Sequence, residues 1–248
     1  MNTLETLFSP SRRRVLAETI PARYSCRSFG DPLSIADWAS ISYIAGRYAL
    51  PGARLALLHV SEDLFTGTLL NMGRVIGCTT VAAVIADAAV TNAVIHAGIL
   101  GEALCLEATA AGFGSCWIVS TYKKKQLNVS LRPGEQVQAI IALGHPADRK
   151  PPQRKRKNVE RFCKGDPALW PEELRRVAEA VRLAPSEQNS QPVTMHMGNY
   201  RFSFDAPPSS MLDLGIALCH AELALTSPHC WRTRQSVNDP ILWMELRK

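Results

Sequence analysis

The chain has 248 residues, 46% of them hydrophobic and 20% charged, with a formal net charge of +6, a balance that excludes disordered and fibrous classes. That length buries one sizeable core, or two small domains that share one. Seven cysteines with no Cys-x-x-Cys pair, and no histidine spaced to join them on a metal, argue against a disulfide framework and a zinc site, so no metal is expected and a reducing cytoplasm is the expected compartment.

Residues 1–20 read as a helix charged on one side. Within them Ser11-Arg12-Arg13-Arg14-Val15-Leu16 superficially resembles a twin-arginine export signal, but Glu18, Arg23 and Arg27 occupy the apolar segment that should follow, so export is not expected. Arg23 to Phe29 reads as extended, with Arg23, Ser25 and Arg27 on one edge if the period is 2. Such an edge could grip an anion or simply be solvated. Gly30-Asp31-Pro32 leads into a helix over 34–48, capped by Ser34, with Trp38, Ile41, Ala45 and Tyr48 on a common face. Pro51-Gly52 ends it, and strands are predicted over 54–60 and 79–85. The stretch 81–100 is interrupted by Asp87, Asn92 and His96 and does not read as a membrane span.

The central stretch is GILGEALCLEATAAGFGSCWIVS, residues 98–120. It predicts a buried helix of small and apolar residues that ends at Gly112, where φ > 0 costs least, followed by an extended segment over 115–119. A glycine pair between helix and strand can deliver backbone N–H and C=O groups to a flat ligand, or merely end the helix. Lys123 to Lys125 form a basic loop, and 138–144 is a continuous apolar run typical of an interior strand. Arg149 to Lys157 then places six cations in nine residues. A linker, an anionic phosphate and nucleic acid would each account for such a run.

Beyond this run the pattern begins again. Gly165-Asp166-Pro167 opens a helix over 172–184 with Leu174, Val177, Ala178 and Val181 on one face. A strand follows over 192–197, then a small-residue helix at Leu214-Gly215-Ile216, and Cys230-Trp231 falls near where Cys116-Trp117 fell. The order predicts a degenerate duplication of about residues 30–118 and 165–231. The Arg23 segment and the Gly-Phe-Gly turn belong only to the first copy, and the Pro185-to-Pro192 loop only to the second.

Four motifs together carry a resemblance: Arg23-x-Ser25-x-Arg27-x-Phe29; Pro185-Ser186-x-x-Asn189-x-Gln191-Pro192; Gly112-x-Gly114-Ser115-Cys116-Trp117; and Ile140-Ile141-Ala142-Leu143-Gly144-His145-Pro146 before a basic tail. The chain resembles the nitroreductase superfamily of FMN-dependent oxidoreductases, and in particular its single-chain, pseudo-dimeric branch. The resemblance implies an α+β fold, three-layer α/β/α with a central mixed sheet, in two pseudo-symmetric lobes: residues 1–157 with the basic linker, and 158–248, the shorter. It implies one flavin per chain, with a homodimer optional. Arg23 and Ser25, with Tyr24 between them, would hold the phosphate and ribityl end and Arg27 the N1/O2 edge of the ring. Trp117, Ile118, Val119 and Ser120 would pass the N5 side. Pro185, Ser186, Asn189 and Gln191 would come from the second lobe, and Arg154 and Arg156 from the tail.

The activity implied is transfer of hydride from NAD(P)H through flavin N5 to an electron-poor small molecule such as a nitroaromatic or quinone, with no catalytic side chain. Nucleic acid and membrane are not expected partners. Val193 stands where the family often has Trp, so a flavin-binding protein without turnover is the alternative.

Overall fold

A short polar signature starts one of the longer helices of the fold. In the computed structural model, which describes residues 4–66, 75–147, 155–198, 201–227, 229–233 and 242–246, Ser34 accepts from the Asp37 N–H and Asp37 accepts from the Ser34 N–H at 3.0 Å. This reciprocal capping box satisfies two orphan donors at the start of a helix that spans Ile35–Ala45. The chain folds as two compact units, one of residues 22–153, the other of the chain up to Pro21 together with everything from Arg154 onward.

In the unit of residues 22–153, the capped helix (α2, numbered after the N-terminal helix α1, Pro10–Thr19) is followed by strands β1 (Ala53–His59) and β2 (Thr80–Asp87), helix α3 (Ala93–Ala110), and strands β3 (Gly114–Ile118) and β4 (Glu135–Gly144). The sheet order is β1-β2-β4-β3, antiparallel throughout. The alternation of β3 and β4 divides their side chains between two faces. Cys116, Ile118, Ile140 and Ala142 join Phe29 and Phe65 in a core cluster. Trp117 and Ile141 approach α3 at Gly101 instead. Helix α3 is buried along most of its length, and it ends where Gly112 takes φ +86° and Phe113 N–H closes on Ala108 O at 2.8 Å.

The other unit holds α1, α4 (Val159–Phe162), β5 (Cys163–Lys164), α5 (Glu172–Leu183), β6 (Thr194–Met197), β7 (Arg201–Asp205), α6 (Met211–Ala224), β8 (His229–Thr233) and β9 (Leu242–Leu246). Its sheet order is β5-β6-β7-β9-β8, with only the β5–β6 pair parallel. Leu174, Val177, Ala178 and Val181 of α5 are all buried, and α5 and α1 pack on α6. Phe202, Phe204 and Trp231 meet edge-on or stacked within 6.3 Å between ring centres.

Taken separately, the two units share an order. Counted from α2 in one and from α5 in the other, each runs helix, strand, strand, helix, strand, strand, and those four strands lie first, second, fourth, third; the unit with α5 carries the two-residue β5 at the sheet edge in addition.

The chain is mixed α+β, with its strands in two sheets rather than one central sheet. Strands β7 and β9 were not anticipated from the sequence. The helix predicted over 34–48 stops at Ala45, and Tyr48 lies beyond it, its hydroxyl donating to the buried Glu107 carboxylate at 2.5 Å. The segment 23–29 is not a regular strand; it makes isolated bridges, Ser25 to Ser115, Ser28 to Ile76 and Phe29 to Pro146.

Helix α1 departs from the expected 1–157 grouping, because it packs with the residues that follow the basic run. Leu16 has no exposed surface. Arg13 places Nη2 2.5 Å from Glu222 Oε1, on a side chain with no exposure, and donates from Nη1 to Glu222 O at 2.6 Å. Removing one partner of such a pair strands the other charge in the core. Arg13→Met is therefore expected to lower the unfolding free energy by about 3 kcal/mol, measured as a lower urea midpoint at unchanged slope; an unaltered midpoint would show the pair to be dispensable.

Candidate functional site

The sequence-predicted residues fall into two groups, one in each unit. The first group lies where the segment after Ala22 runs beside β3. Cys26 N–H donates to Ser115 O and Phe29 N–H to Ile76 O, both at 2.9 Å, and these two side chains turn inward. Gly114 permits this approach, since a Cβ there would stand 2.7 Å from Cys26 Sγ.

Arg23, Ser25 and Arg27 therefore do not share one exposed edge. Arg23 is 1% exposed, Tyr24 and Ser25 are half-buried and Arg27 is exposed. Along β3 and the turn after it, Trp117 and Val119 are half-buried, Ile118 is buried and Ser120 is exposed.

Arg23 is answered by a residue that the sequence reading passed over. Glu102, in the middle of α3 and without exposed surface, places Oε1 3.4 Å from Arg23 Nε and accepts from Trp117 Nε1 on Oε2 at 2.8 Å. Gly101 makes room for the indole, because a Cβ there would lie 2.3 Å from Trp117 Cη2. The available signal was an acid inside a helix made largely of small and apolar residues, which is costly unless paired. Even so paired, Arg23 keeps two buried nitrogens, Nε and Nη1, without a hydrogen-bond acceptor. A buried guanidinium with donors to spare suits the oxygens of an anion such as a phosphate ester.

Burial pushes the thiols nearby upward: Cys78 to about 11, and Cys105 and Cys116 also upward. None of the three is poised as a nucleophile at neutral pH.

The second group is a loop stapled to the basic segment. Gln188, Asn189 and Gln191 all have positive φ, +50°, +57° and +47°, a left-handed backbone that glutamine rarely adopts. Side chains hold it there. Ser186 Oγ accepts from Gln191 N–H at 2.8 Å, Gln191 donates to Arg182 O at 3.2 Å and accepts from Lys157 N–H at 2.8 Å. Asn189 donates to Lys155 O at 2.9 Å and accepts from Arg156 Nη1. Arg156, Ser186, Asn189 and Gln191 are thus brought together, with both ends of the Asn189 amide engaged by the tail. Pro185 lines the adjoining small cavity. Arg154 lies outside the described residues.

Comparison with known proteins follows this geometry. The family model described as "Putative TM nitroreductase" matches residues 15–225. A Thermotoga maritima MSB8 structure described as a putative nitroreductase is similar over 94% of each chain, with 25% identity and a TM-score of 0.64. Nitroreductases with bound FMN from Desulfitobacterium hafniense DCB-2 and Bacteroides fragilis NCTC 9343 cover 56% and 58% of this chain and 94% of their own, at 19% and 17% identity, each with a TM-score of 0.43. No curated protein matches.

One titratable group sits directly against the loop. Asp213 accepts from the Glu187 N–H at 3.2 Å and, with Pro185, Ser186 and Gln191, lines a cavity of about 20 Å³, room for one water. Burial raises its pKa from 3.8 to about 6; the Glu187 N–H opposes the rise and the Glu187 carboxylate adds to it. Because the folded value lies above the unfolded one, the fold favours the protonated acid, and stability is lost as pH climbs through 6. Asp213→Asn keeps the acceptor and removes the charge. Its melting temperature is expected to exceed that of the wild type at pH 7 and to converge with it below about pH 4; parallel pH profiles would contradict this.

Proposed function

The chain belongs to the nitroreductase family whose model spans residues 15–225, and from that membership we propose that it is an FMN-dependent oxidoreductase acting between NADH or NADPH and an electron-poor small molecule, a nitroaromatic or a quinone. Bound FMN would supply the hydride chemistry at N5. The residues supply binding and charge.

The observation that carries this reading is Arg23, first in the Arg-x-Ser-x-Arg segment, buried with Nε and Nη1 lacking an acceptor. In this proposal Arg23 and Ser25 hold the phosphate and ribityl end. Arg27 offsets the negative charge that reduction places on the N1/O2 edge, which favours the reduced state. Trp117 to Ser120 offer backbone groups to the ring, and Arg156 with the Pro185-to-Gln191 loop completes the set. The shared strand order supports descent of the two units from one duplicated precursor. Each carries motifs that the other lacks, which supports one flavin per chain, with pairing of chains optional. A cytoplasmic setting is part of the proposal, on cysteine usage.

A second reading is a flavin-binding protein without turnover. Val193, buried at the end of the loop, favours it, standing where the family often has Trp.

Purified full-length protein reconstituted with FMN is expected to be yellow, to hold one flavin per chain and to bleach when NADH or NADPH is added without oxygen. Yellow protein that does not bleach selects the second reading, and colourless protein or two flavins per chain rejects the assignment. Arg23→Ala is expected to weaken FMN retention by about 1.5–3 kcal/mol, the worth of a charge-assisted hydrogen bond; undiminished flavin content would remove Arg23 from the site.

A further inference from the structure

The chain contains the arrangement at Arg23 twice, and the two differ in one respect. In each, a helix glutamate without exposed surface joins an arginine to the indole N–H of a tryptophan on the strand after that helix. Glu102 of α3 receives Trp117 of β3 at 2.8 Å, and Glu222 of α6 receives Trp231 of β8 at 2.6 Å. Their arginines stand at 3.4 Å, Arg23 Nε to Glu102, and at 2.5 Å, Arg13 Nη2 to Glu222.

The difference is in what each guanidinium does with its other donors. Arg13 spends them on the protein: Nη1 donates to Glu222 O at 2.6 Å, with Leu225 O at 3.5 Å, and Nη2 donates to Glu5 O at 3.2 Å. Glu222 is further engaged by His229 at 2.9 Å. Arg23 is more deeply buried than its counterpart and, with Nε turned to Glu102, leaves Nη1 without an acceptor. Unpaired buried donors are expensive; the Arg13 guanidinium is engaged by carbonyls of its own unit, whereas Arg23 Nη1 is a donor that an oxyanion would satisfy.

We infer that Glu102 is a positioning residue for the flavin phosphate: tied to the Trp117 indole through Oε2, it holds Arg23 by Nε so that the unused Nη1 meets a phosphate ester. The Glu222 arrangement is structural. This rests on the FMN reading above. The same donors would suit the phosphates of a nicotinamide coenzyme, so the test must separate the two sources.

Flavin-stripped full-length protein is titrated with FMN and with riboflavin, which lacks the phosphate, following quenching of flavin fluorescence, for wild type, E102Q, W117F and E222Q. Glutamine can accept from Arg23 or from Trp117 through its one oxygen, and no longer from both on separate oxygens. E102Q is expected to weaken FMN by at least about tenfold with riboflavin affinity unchanged, which collapses the FMN-to-riboflavin ratio. W117F is expected to shift that ratio the same way by less, and carries the test if E102Q does not fold. E222Q is expected to lower the melting temperature and leave the ratio at its wild-type value.

An E102Q ratio equal to wild type overturns the proposal. So does a rise in FMN affinity, which would mean that Glu102 competes with the phosphate instead of positioning for it. A change confined to the KM for NADH or NADPH assigns the donors to the coenzyme and also overturns it. A wild-type ratio of one is a separate failure: it removes the FMN-phosphate reading itself, and this inference with it.

Discussion

An ionised carboxylate inside an apolar helix has to be met by a cation and by hydrogen bonds, or the helix cannot stay where it is. Helices α3 and α6 each carry such a group, Glu102 and Glu222, with no exposed surface. Much of the local structure follows from answering them. Glycine at 101 lets the Trp117 indole lie close against α3, which brings its N–H to Glu102. On α6, His229 and Trp231 converge on the same carboxylate oxygen, and Arg13 arrives from a helix more than two hundred residues earlier in the chain.

That demand explains where α1 belongs. Its sequence offers weak amphipathic patterning and a run of three arginines, neither of which says what it packs against. Arg13, with two bonds to the backbone of α6 and its end and an ion pair to Glu222, ties the helix to that unit. A charge-assisted contact of this kind has a fixed geometry, so a side chain that looks like one of three surface cations decides the grouping of the helix.

The regular elements were largely legible. Small-residue composition and a terminal glycine marked α3, a continuous apolar run marked β4, and a 3.6-residue stripe marked α5, whose Leu174, Val177, Ala178 and Val181 are buried as a face. Strands β7, Arg201-Phe202-Ser203-Phe204-Asp205, and β9, Leu242 to Leu246, were not read from the sequence: neither has the continuous apolar run that marked β4 nor follows a helix through a glycine turn as β3 does. The candidate site was legible only in part. Motif spacing located Arg23, Ser25 and the loop at 185–191, but period-2 reasoning put Arg23 and Arg27 on one edge. Isolated bridges replace a ladder there, so burial follows Cys26 and Phe29 and separates the two arginines. Glu102 escaped because nothing local reveals a partner that lies 79 residues upstream.

The two carboxylates also bear on how two units with a similar strand order can differ without losing stability. Both units have the glutamate and the tryptophan that anchors it, and the cation is the member with a different source. In one unit it comes from the segment beside the third strand, at Arg23. In the other it comes from α1, at Arg13, and is spent on carbonyls of its own unit. The cation can come from either place because Trp117 or Trp231 supplies the carboxylate's hydrogen bond and the arginine needs only to bring its charge to the right distance. One helix is therefore held by an arginine with a donor in reserve, the other by an arginine with its donors engaged. In Arg23 the two conditions fall on different atoms of one side chain: Nε faces the carboxylate, and Nη1 is a buried donor without an acceptor.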